Sequence, residues 1–429
     1  MNNSKSFKQI LYLVIEGGLI GTLAGLTAVV YRFFLTWAET GLNHVLFFIK
    51  GNIPAIILWF LALIVMGCIV ARIVKWEGMA SGSGIPQVSG EVKGFLNPCW
   101  WRVLIAKFTG GTISIFAGLS LGREGPSIQL GAMAAKGYSR IRKCDKSTEL
   151  RLLCFGAGAG LAAAFNAPLA GILFVLEEMT HTFDHIIILA GIIATLSADY
   201  ISKIFFGQAT IFHFHPYTIP LRYYWLLILL GILLGLAGAG YNYVMIKTQK
   251  LFQSVKHIPL EVLLSATFVI AGIFGLFLPQ VLAGGHSMIV LLENGEPALI
   301  TLVILLIFKF IFSAISFGSG APGGIFFPLL ILGAFAGAAF GETALTFLPL
   351  PDHVLPQLIT LGMAGLFAGI VRAPLTGIIL ITEMTGNMHR LLDIAVVSIL
   401  AYAVANLVGS KPIYDSLLDN ILSRQRKKN

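Results

Sequence analysis

Long apolar runs recur along the chain with short polar interruptions between them. Leu11–Trp37, Ile53–Val74, Trp101–Gly118, Ile186–Phe206, Tyr223–Val244 and Leu299–Phe317 each read as a helix able to cross a bilayer, the last containing one lysine. Glu39–His44 reads as a polar connection after the first run, and Arg72, Lys75 and Glu77 close the second. Leu152–Phe165 and Leu169–Met179 are shorter apolar pieces separated by Asn166-Ala167-Pro168. Alternation of period two is absent, which argues against a β-barrel. The pattern predicts an all-α polytopic membrane protein.

Three interruptions share one form. Ala80–Val88 (ASGSGIPQV), Leu121–Ala132 (LGREGPSIQLGA) and Gly318–Pro328 (GSGAPGGIFFP) each run from glycine-rich chain through a proline into apolar sequence. Proline favours the first turn of a helix, so new helices are expected near Pro86, near Ser127 and after Pro328. A helix start leaves backbone N–H groups unbonded and carries positive partial charge; such ends bind anions. Only the second break adds a carboxylate, Glu124, beside Arg123. Cation sites need carboxylates, carbonyls or helix C-termini instead. The pattern therefore favours an anion held by amides and hydroxyls, weakly enough for release.

The second half repeats the first. Lys107-Phe108 matches Lys309-Phe310, Ile113-Ser114 matches Ile315-Ser316, and Gly122, Pro126, Gly131 and Ala132 match Gly324, Pro328, Gly333 and Ala334, all at a separation of 202 residues. Ala159–Leu161 matches Ala364–Leu366, Ala167–Ile172 (APLAGI) matches Ala373–Ile378 (APLTGI), and Glu177 falls opposite Glu383. Lys136–Arg151 holds six Lys or Arg residues, whereas Phe340–Gln357 holds none. Equivalent loops of opposite charge bias belong on opposite faces, so the repeats are inverted. The basic one, the N-terminal lysines and Arg424–Lys428 are expected on the cytoplasmic side. The organisation expected is one integral membrane domain over 1–429, with inverted repeats at about 53–205 and 262–411. Residues 412–429 form a last broken helix and a basic tail. Broken helices of two inverted repeats meet near the midplane, where such architectures bind substrate.

Composition narrows the function. Of 429 residues, 57% are hydrophobic and 11% charged, with mean hydropathy +0.86; soluble domains carry about 25% charge. The net charge of +9 sits in a few short loops and reads as a topology signal rather than a nucleic-acid surface. Cys68, Cys99, Cys144 and Cys154 have neither metal spacing nor a disulfide framework. Met1–Ile10 is polar and basic. The apolar run after it is too long for a signal-peptide core, so it is expected to be retained. His181, His185, His213 and His215 fall in ends and loops with no ligand pattern. No metal or cofactor site is expected.

At this point the motifs coincide with those of one family. GSGIP (Gly82–Pro86), GREGP (Gly122–Pro126), GIFFP (Gly324–Pro328) and KPIY (Lys411–Tyr414) stand in its order and spacing. The chain resembles the CLC family of chloride channels and proton-coupled chloride antiporters over nearly its whole length. The resemblance implies that the Ser83 and Tyr414 hydroxyls and the backbone N–H groups of Ile325 and Phe326 hold a central chloride. Gly84, Ile85 and Gly125 belong to the same anion-binding set. It implies that Glu124 is the gate, filling an anion seat when ionised and leaving it when protonated. Glu178 is implied as the internal proton acceptor that sets antiporters apart from channels; intramembrane carboxylates are costly and often mark proton relays. Glu383 is implied to be structural. Gln87 departs from the Glu of many bacterial members. Ser83 and Tyr414 are retained where nitrate- or fluoride-selective members differ, which favours chloride. A homodimer with one pathway per subunit, in a bacterial inner membrane and with both termini cytoplasmic, is implied. So is a chain without cytoplasmic regulatory domains, hence without nucleotide regulation.

Plainer readings exist for each residue: an exposed Arg123–Glu124 ion pair in a loop, Ser83 as a helix cap, Tyr414 as an interfacial anchor, and Glu177–Glu178 as a solvated helix end. Two other functions compete with chloride/proton exchange. One is a passive anion channel with Glu178 a bystander. The other is an intramembrane serine hydrolase on Ser83, which needs a base beside that hydroxyl.

Overall fold

In the computed structural model the described residues are 2–182, 185–214, 219–255, 257–295, 297–351 and 354–426, with the side chains of 2–10 and 185–186 left aside. His215 lies outside the described residues, as do Lys427 and Lys428 of the basic tail. Helices dominate and occur in the order α1 (Asn2–Ile49), α2 (Ile53–Trp76), α3 (Ile85–Val92), α4 (Trp100–Phe116), α5 (Glu124–Ile141), α6 (Lys146–Phe165), α7 (Pro168–Phe174) and α8 (His185–Phe206). The second half continues with α9 (Tyr224–Ser254), α10 (Leu260–Phe277), α11 (His286–Asn294), α12 (Leu299–Gly318), α13 (Phe326–Phe347), α14 (Leu355–Val371), α15 (Pro374–Thr385) and α16 (Leu391–Leu407). A last helix, α17 (Ile413–Arg426), follows. Among the described residues, nine helices are long and apolar enough to cross a membrane.

The halves correspond helix for helix. α5 packs on α6 as α13 packs on α14, and α6 on α8 as α14 on α16. The packing of α1 on α8 has its counterpart in α9 on α16, so the correspondence takes in α1 and α9, one helix beyond the repeat bounds expected from the sequence. Small residues permit the closest approaches, as expected where lipid removes the hydrophobic driving force. A Cβ on Gly131 or Gly156 would collide with the other's backbone, and Gly333 and Gly362 repeat that contact in the second half. α6 and α14 both end on a left-handed residue, Asn166 (φ +52°) and Arg372 (φ +72°), each followed by Ala-Pro. Asparagine tolerates that region. Arg372 is held there by donating to the Gly369 and Ser410 carbonyls.

Three expectations are corrected. The polar connection at Glu39–His44 does not exist, because α1 continues through it to Ile49. ETGLNH holds no proline and a single glycine, and the Thr40 hydroxyl folds back onto the Thr36 carbonyl. The second helix start lies at Glu124, not near Ser127. Pro126 is the third helical residue, where its missing N–H has no intrahelical partner to lose. Finally, Lys136–Arg151 is mostly helix, with the turn confined to Arg142–Asp145. Lys136 is fully buried in α5. It is ion-paired with the buried Glu91 and donates to Asn97 Oδ1 (2.9 Å) and the Pro98 carbonyl (2.6 Å).

Candidate anion and proton site

The three broken segments are stitched together by their own backbones. Gly122 and Gly324 form an antiparallel pair, each N–H donating to the other's carbonyl at 2.7 and 2.8 Å. Gly323 N–H donates to the Gly82 carbonyl at 3.0 Å. The starts of α3, α5 and α13 therefore converge, and the antiparallel pairing sets the two halves in opposite directions where they meet.

Side chains brace this junction. Lys107, buried in α4, donates to the Gly82 carbonyl at 2.7 Å. Its repeat partner Lys309, buried in α12, donates to the Val281 and Ala283 carbonyls, both at 2.9 Å. Each buried ammonium thus stabilises a non-helical turn whose carbonyls have no helical partner. Gln87 donates to the Ser81 carbonyl at 2.7 Å, and Gln129 to the Met79 carbonyl at 2.8 Å. Gly84 caps α3 with φ +97°, and a Cβ there would meet Gln129 Cβ at 2.7 Å. Glycine is needed at this position for both reasons.

The expected site residues lie as follows. Ser83 precedes α3 and is buried; Ile85 is the first residue of α3. Glu124 opens α5 with its carboxylate 1% exposed. Gly125 follows, so close to Ser83 that a Cβ would collide with the Ser83 hydroxyl and come within 2.8 Å of its carbonyl. Ile325 caps α13 and Phe326 opens it, both buried. Tyr414 lies in the first turn of α17, 1% exposed. Among the described residues, neither the Ser83 nor the Tyr414 hydroxyl has a hydrogen-bond partner, although both are buried. Around Tyr414 and Phe326 the walls are aromatic. The Phe326 ring lies 5.1 Å from Phe165 and 4.9 Å from Phe367, and Phe174 meets Tyr414 edge-on at 6.4 Å. The unpaired Tyr414 hydroxyl thus belongs to an aromatic cage, and the unpaired Ser83 hydroxyl lies against Gly125 at the start of α5. No cluster of metal-ligating side chains occurs among the described residues.

Arg123 and Glu124 are not an exposed loop pair. Arg123 Nε stands 3.7 Å from Glu124 Oε1, beyond hydrogen-bond reach, and Glu124 Oε2 is buried without a partner. That oxygen lies against Gly122, where a Cβ would strike it and also come within 3.1 Å of the Phe327 amide. The carboxylate therefore sits between the starts of α5 and α13. On its other side opens a cleft of about 380 Å³ that Arg32, Glu39, Arg123 and His286 also line.

Glu177 and Glu178, adjacent in sequence, differ in environment. Glu177 accepts hydrogen bonds from the Leu375 and Thr376 N–H groups at 3.1 and 2.8 Å and from the Thr376 hydroxyl. Glu178 is buried, at 4% exposure, in a π-helical turn, Val175–Thr180, that extends α7. The equivalent stretch of α15 is ordinary α-helix. Such π turns often occur at functional positions. The Glu178 turn follows directly on Phe174, whose ring meets Tyr414. Lys93, at the end of α3, pairs with Asp415 at 3.1 Å and so ties α3 to the turn that carries Tyr414. Sequence reasoning missed this pair, the Glu91–Lys136 pair and the bracing lysines. The lysines did carry a signal, since both recur in the repeat. The serine-hydrolase arrangement is contradicted: Ser83 Oγ has no base bonded to it, and the nearby Lys107 ammonium is engaged by a carbonyl.

Comparison with known proteins gives the family. A family model described as voltage gated chloride channel matches residues 62–406. The H(+)/Cl(-) exchange transporter ClcA of Vibrio campbellii is 36% identical over 420 residues, covering 95% of this chain and 89% of its own length. The protein of the same name from Salmonella paratyphi B is 35% identical, covering 97% and 90%. The crystal structure of a slow cyanobacterial Cl-/H+ antiporter superposes with a TM-score of 0.91 at 30% identity, covering 96% of this chain and 99% of the other.

Proposed function

Since the chain belongs to the voltage gated chloride channel family, we propose that it exchanges chloride for protons across a membrane. The observation that carries this reading is the seat of Glu124. A buried carboxylate lies between two helix starts, its neighbour Gly125 packed on Ser83, and on its other side opens a cleft. In the ionised state it occupies the position an anion would take and interacts favourably with the amides and positive helix ends. Protonation removes that attraction, so the side chain swings toward the cleft and chloride takes its place. The Ser83 and Tyr414 hydroxyls and the amides of Ile85, Gly125, Ile325 and Phe326 hold the ion without a fixed positive charge, which keeps binding weak enough for turnover.

Glu178 is the internal proton acceptor in this scheme. Glu177 is already engaged by α15, while Glu178 is buried on the turn that follows Phe174, whose ring meets Tyr414. Protons then pass between Glu178 and Glu124 on a route separate from the aromatic cage. Chloride and protons are the only substrates proposed. The working form is a homodimer with a pathway in each subunit, in a bacterial inner membrane with both termini cytoplasmic. The whole chain acts as one membrane domain of inverted repeats, about 53–205 and 262–411, closed by residues 412–429.

The test is transport by purified protein in liposomes. A chloride gradient must drive protons uphill. Chloride movement with no coupled protons would assign a passive channel instead.

A further inference from the structure

A second large cleft lies away from the transport site, between the second half of α9 and the connection from α16 to α17, with a volume of about 810 Å³. Its two ends differ in chemistry. One wall is apolar and faces outward, with Leu236 48% and Val408 57% exposed. The other end carries Lys247, Lys250 and Lys411 with the Ser410 and Ser416 hydroxyls. One carboxylate, Asp419, lines it, 3.9 Å from the Lys411 ammonium. At the base is Asn242, 4% exposed. Its amide donates to the Ile370 and Lys411 carbonyls, both at 3.0 Å, and its Oδ1 is buried without a partner among the described residues.

A soluble phosphate would satisfy the lysines and leave the apolar wall bare. A hydrocarbon alone would leave the Lys247 and Lys250 ammonium groups without a counter-anion. Both ends are matched by an amphiphile whose anionic head sits at the membrane boundary, where basic pockets between helices take phospholipid headgroups. The unpaired acceptor on Asn242 further asks for a donor in that head. We propose that this cleft binds an anionic phospholipid with a hydroxyl-bearing headgroup, of the phosphatidylglycerol class. Its phosphate lies among Lys247, Lys250 and Lys411, its chains lie along Leu236 and Val408, and a headgroup hydroxyl donates to Asn242 Oδ1. The same Asn242 holds the Lys411 carbonyl, three residues before Tyr414. The lipid therefore contacts the side chain that holds the start of α17.

Binding is read without reference to transport, so failure here is separable from failure of the exchange reading. Detergent-purified protein is presented with phosphatidylglycerol, phosphatidylcholine or phosphatidylmethanol, and retention is measured by native mass spectrometry. Phosphatidylglycerol is expected to be retained in preference to phosphatidylcholine. The double variant Lys247→Gln/Lys250→Gln is expected to lose about fivefold in affinity for each lysine removed. Phosphatidylmethanol, which keeps the charge and lacks the hydroxyl, is expected to bind more weakly than phosphatidylglycerol. Equal retention of phosphatidylcholine, or undiminished phosphatidylglycerol binding by the double variant, overturns the site. Displacement of the lipid by millimolar sn-glycerol 3-phosphate reassigns the cleft to a soluble phosphate and overturns the lipid. Equal binding of phosphatidylmethanol overturns the Asn242 contact.

Discussion

Glu177 and Glu383 each hold the start of the other half's short helix. Glu177 accepts from the Leu375 and Thr376 amides of α15, and Glu383 accepts from the Leu169 and Ala170 amides of α7 at 3.1 and 2.8 Å. The exchange is that of a two-fold relation between the halves. In each case an anion meets the positive end of a helix and satisfies two amides that have no intrahelical acceptor. Either Glu→Gln change weakens charge-assisted bonds and should cost about 1–3 kcal/mol. Thermal unfolding in detergent checks it: both variants should melt below the wild type, and an unchanged midpoint would show that the caps are dispensable.

Glu178 has no such structural duty. Glu178→Gln removes the titratable proton with little change in shape, so proton movement should fall sharply while chloride still passes. Paired chloride and proton flux measurements decide this. Undiminished proton flux would mean that the acceptor lies elsewhere.

Glu124→Gln fixes the gate in a state that cannot ionise. With Glu124 as the proposed gate, chloride passage requires the carboxylate to leave its seat, so the wild-type rate should rise as pH falls through its titration. The variant should show a flat pH profile and no proton coupling. A profile that still follows pH in the wild-type sense would contradict the gate assignment.

Gly125 offers a purely steric test. A Cβ there would collide with the Ser83 hydroxyl and press on its carbonyl at 2.8 Å, and the backbone cannot yield cheaply. Gly125→Ala should weaken chloride binding by about tenfold or more, the effect of roughly 1.4 kcal/mol. Titration calorimetry reads this directly, and wild-type affinity would remove Gly125 from the site.

The buried pair of Glu91 and Lys136 links α3 to α5. Removing one partner, as in Lys136→Met, leaves an uncompensated buried charge and should cost about 3–5 kcal/mol. Replacing both, as in Glu91→Leu/Lys136→Met, should recover much of that loss. If the double variant is no more stable than the single one, the pair's worth lies in the Asn97 and Pro98 contacts of Lys136 rather than in its charge.

What the chain determined by itself is local. Apolar length set the helices, glycine-to-proline runs set the breaks, and a constant separation of matching lysines, glycines and prolines revealed the two halves. Each of these signals lies within a few neighbouring residues or a simple repeat, so no folding was needed to read it. The tertiary structure decided everything that depends on distant partners. It made α1 continuous through Glu39–His44, since packing and backbone bonding outweigh a few polar side chains. It buried Lys136 against Glu91 where composition suggested a solvated loop. It turned Glu177 and Glu178, neighbours in sequence, into a structural cap and a buried acid. It also brought Gly122 onto Gly324 and Gly323 onto Gly82, and so placed Glu124 between helix starts that the sequence shows only as separate motifs. Burial and pairing are properties of the surroundings, and those surroundings exist only once the two halves have packed against each other.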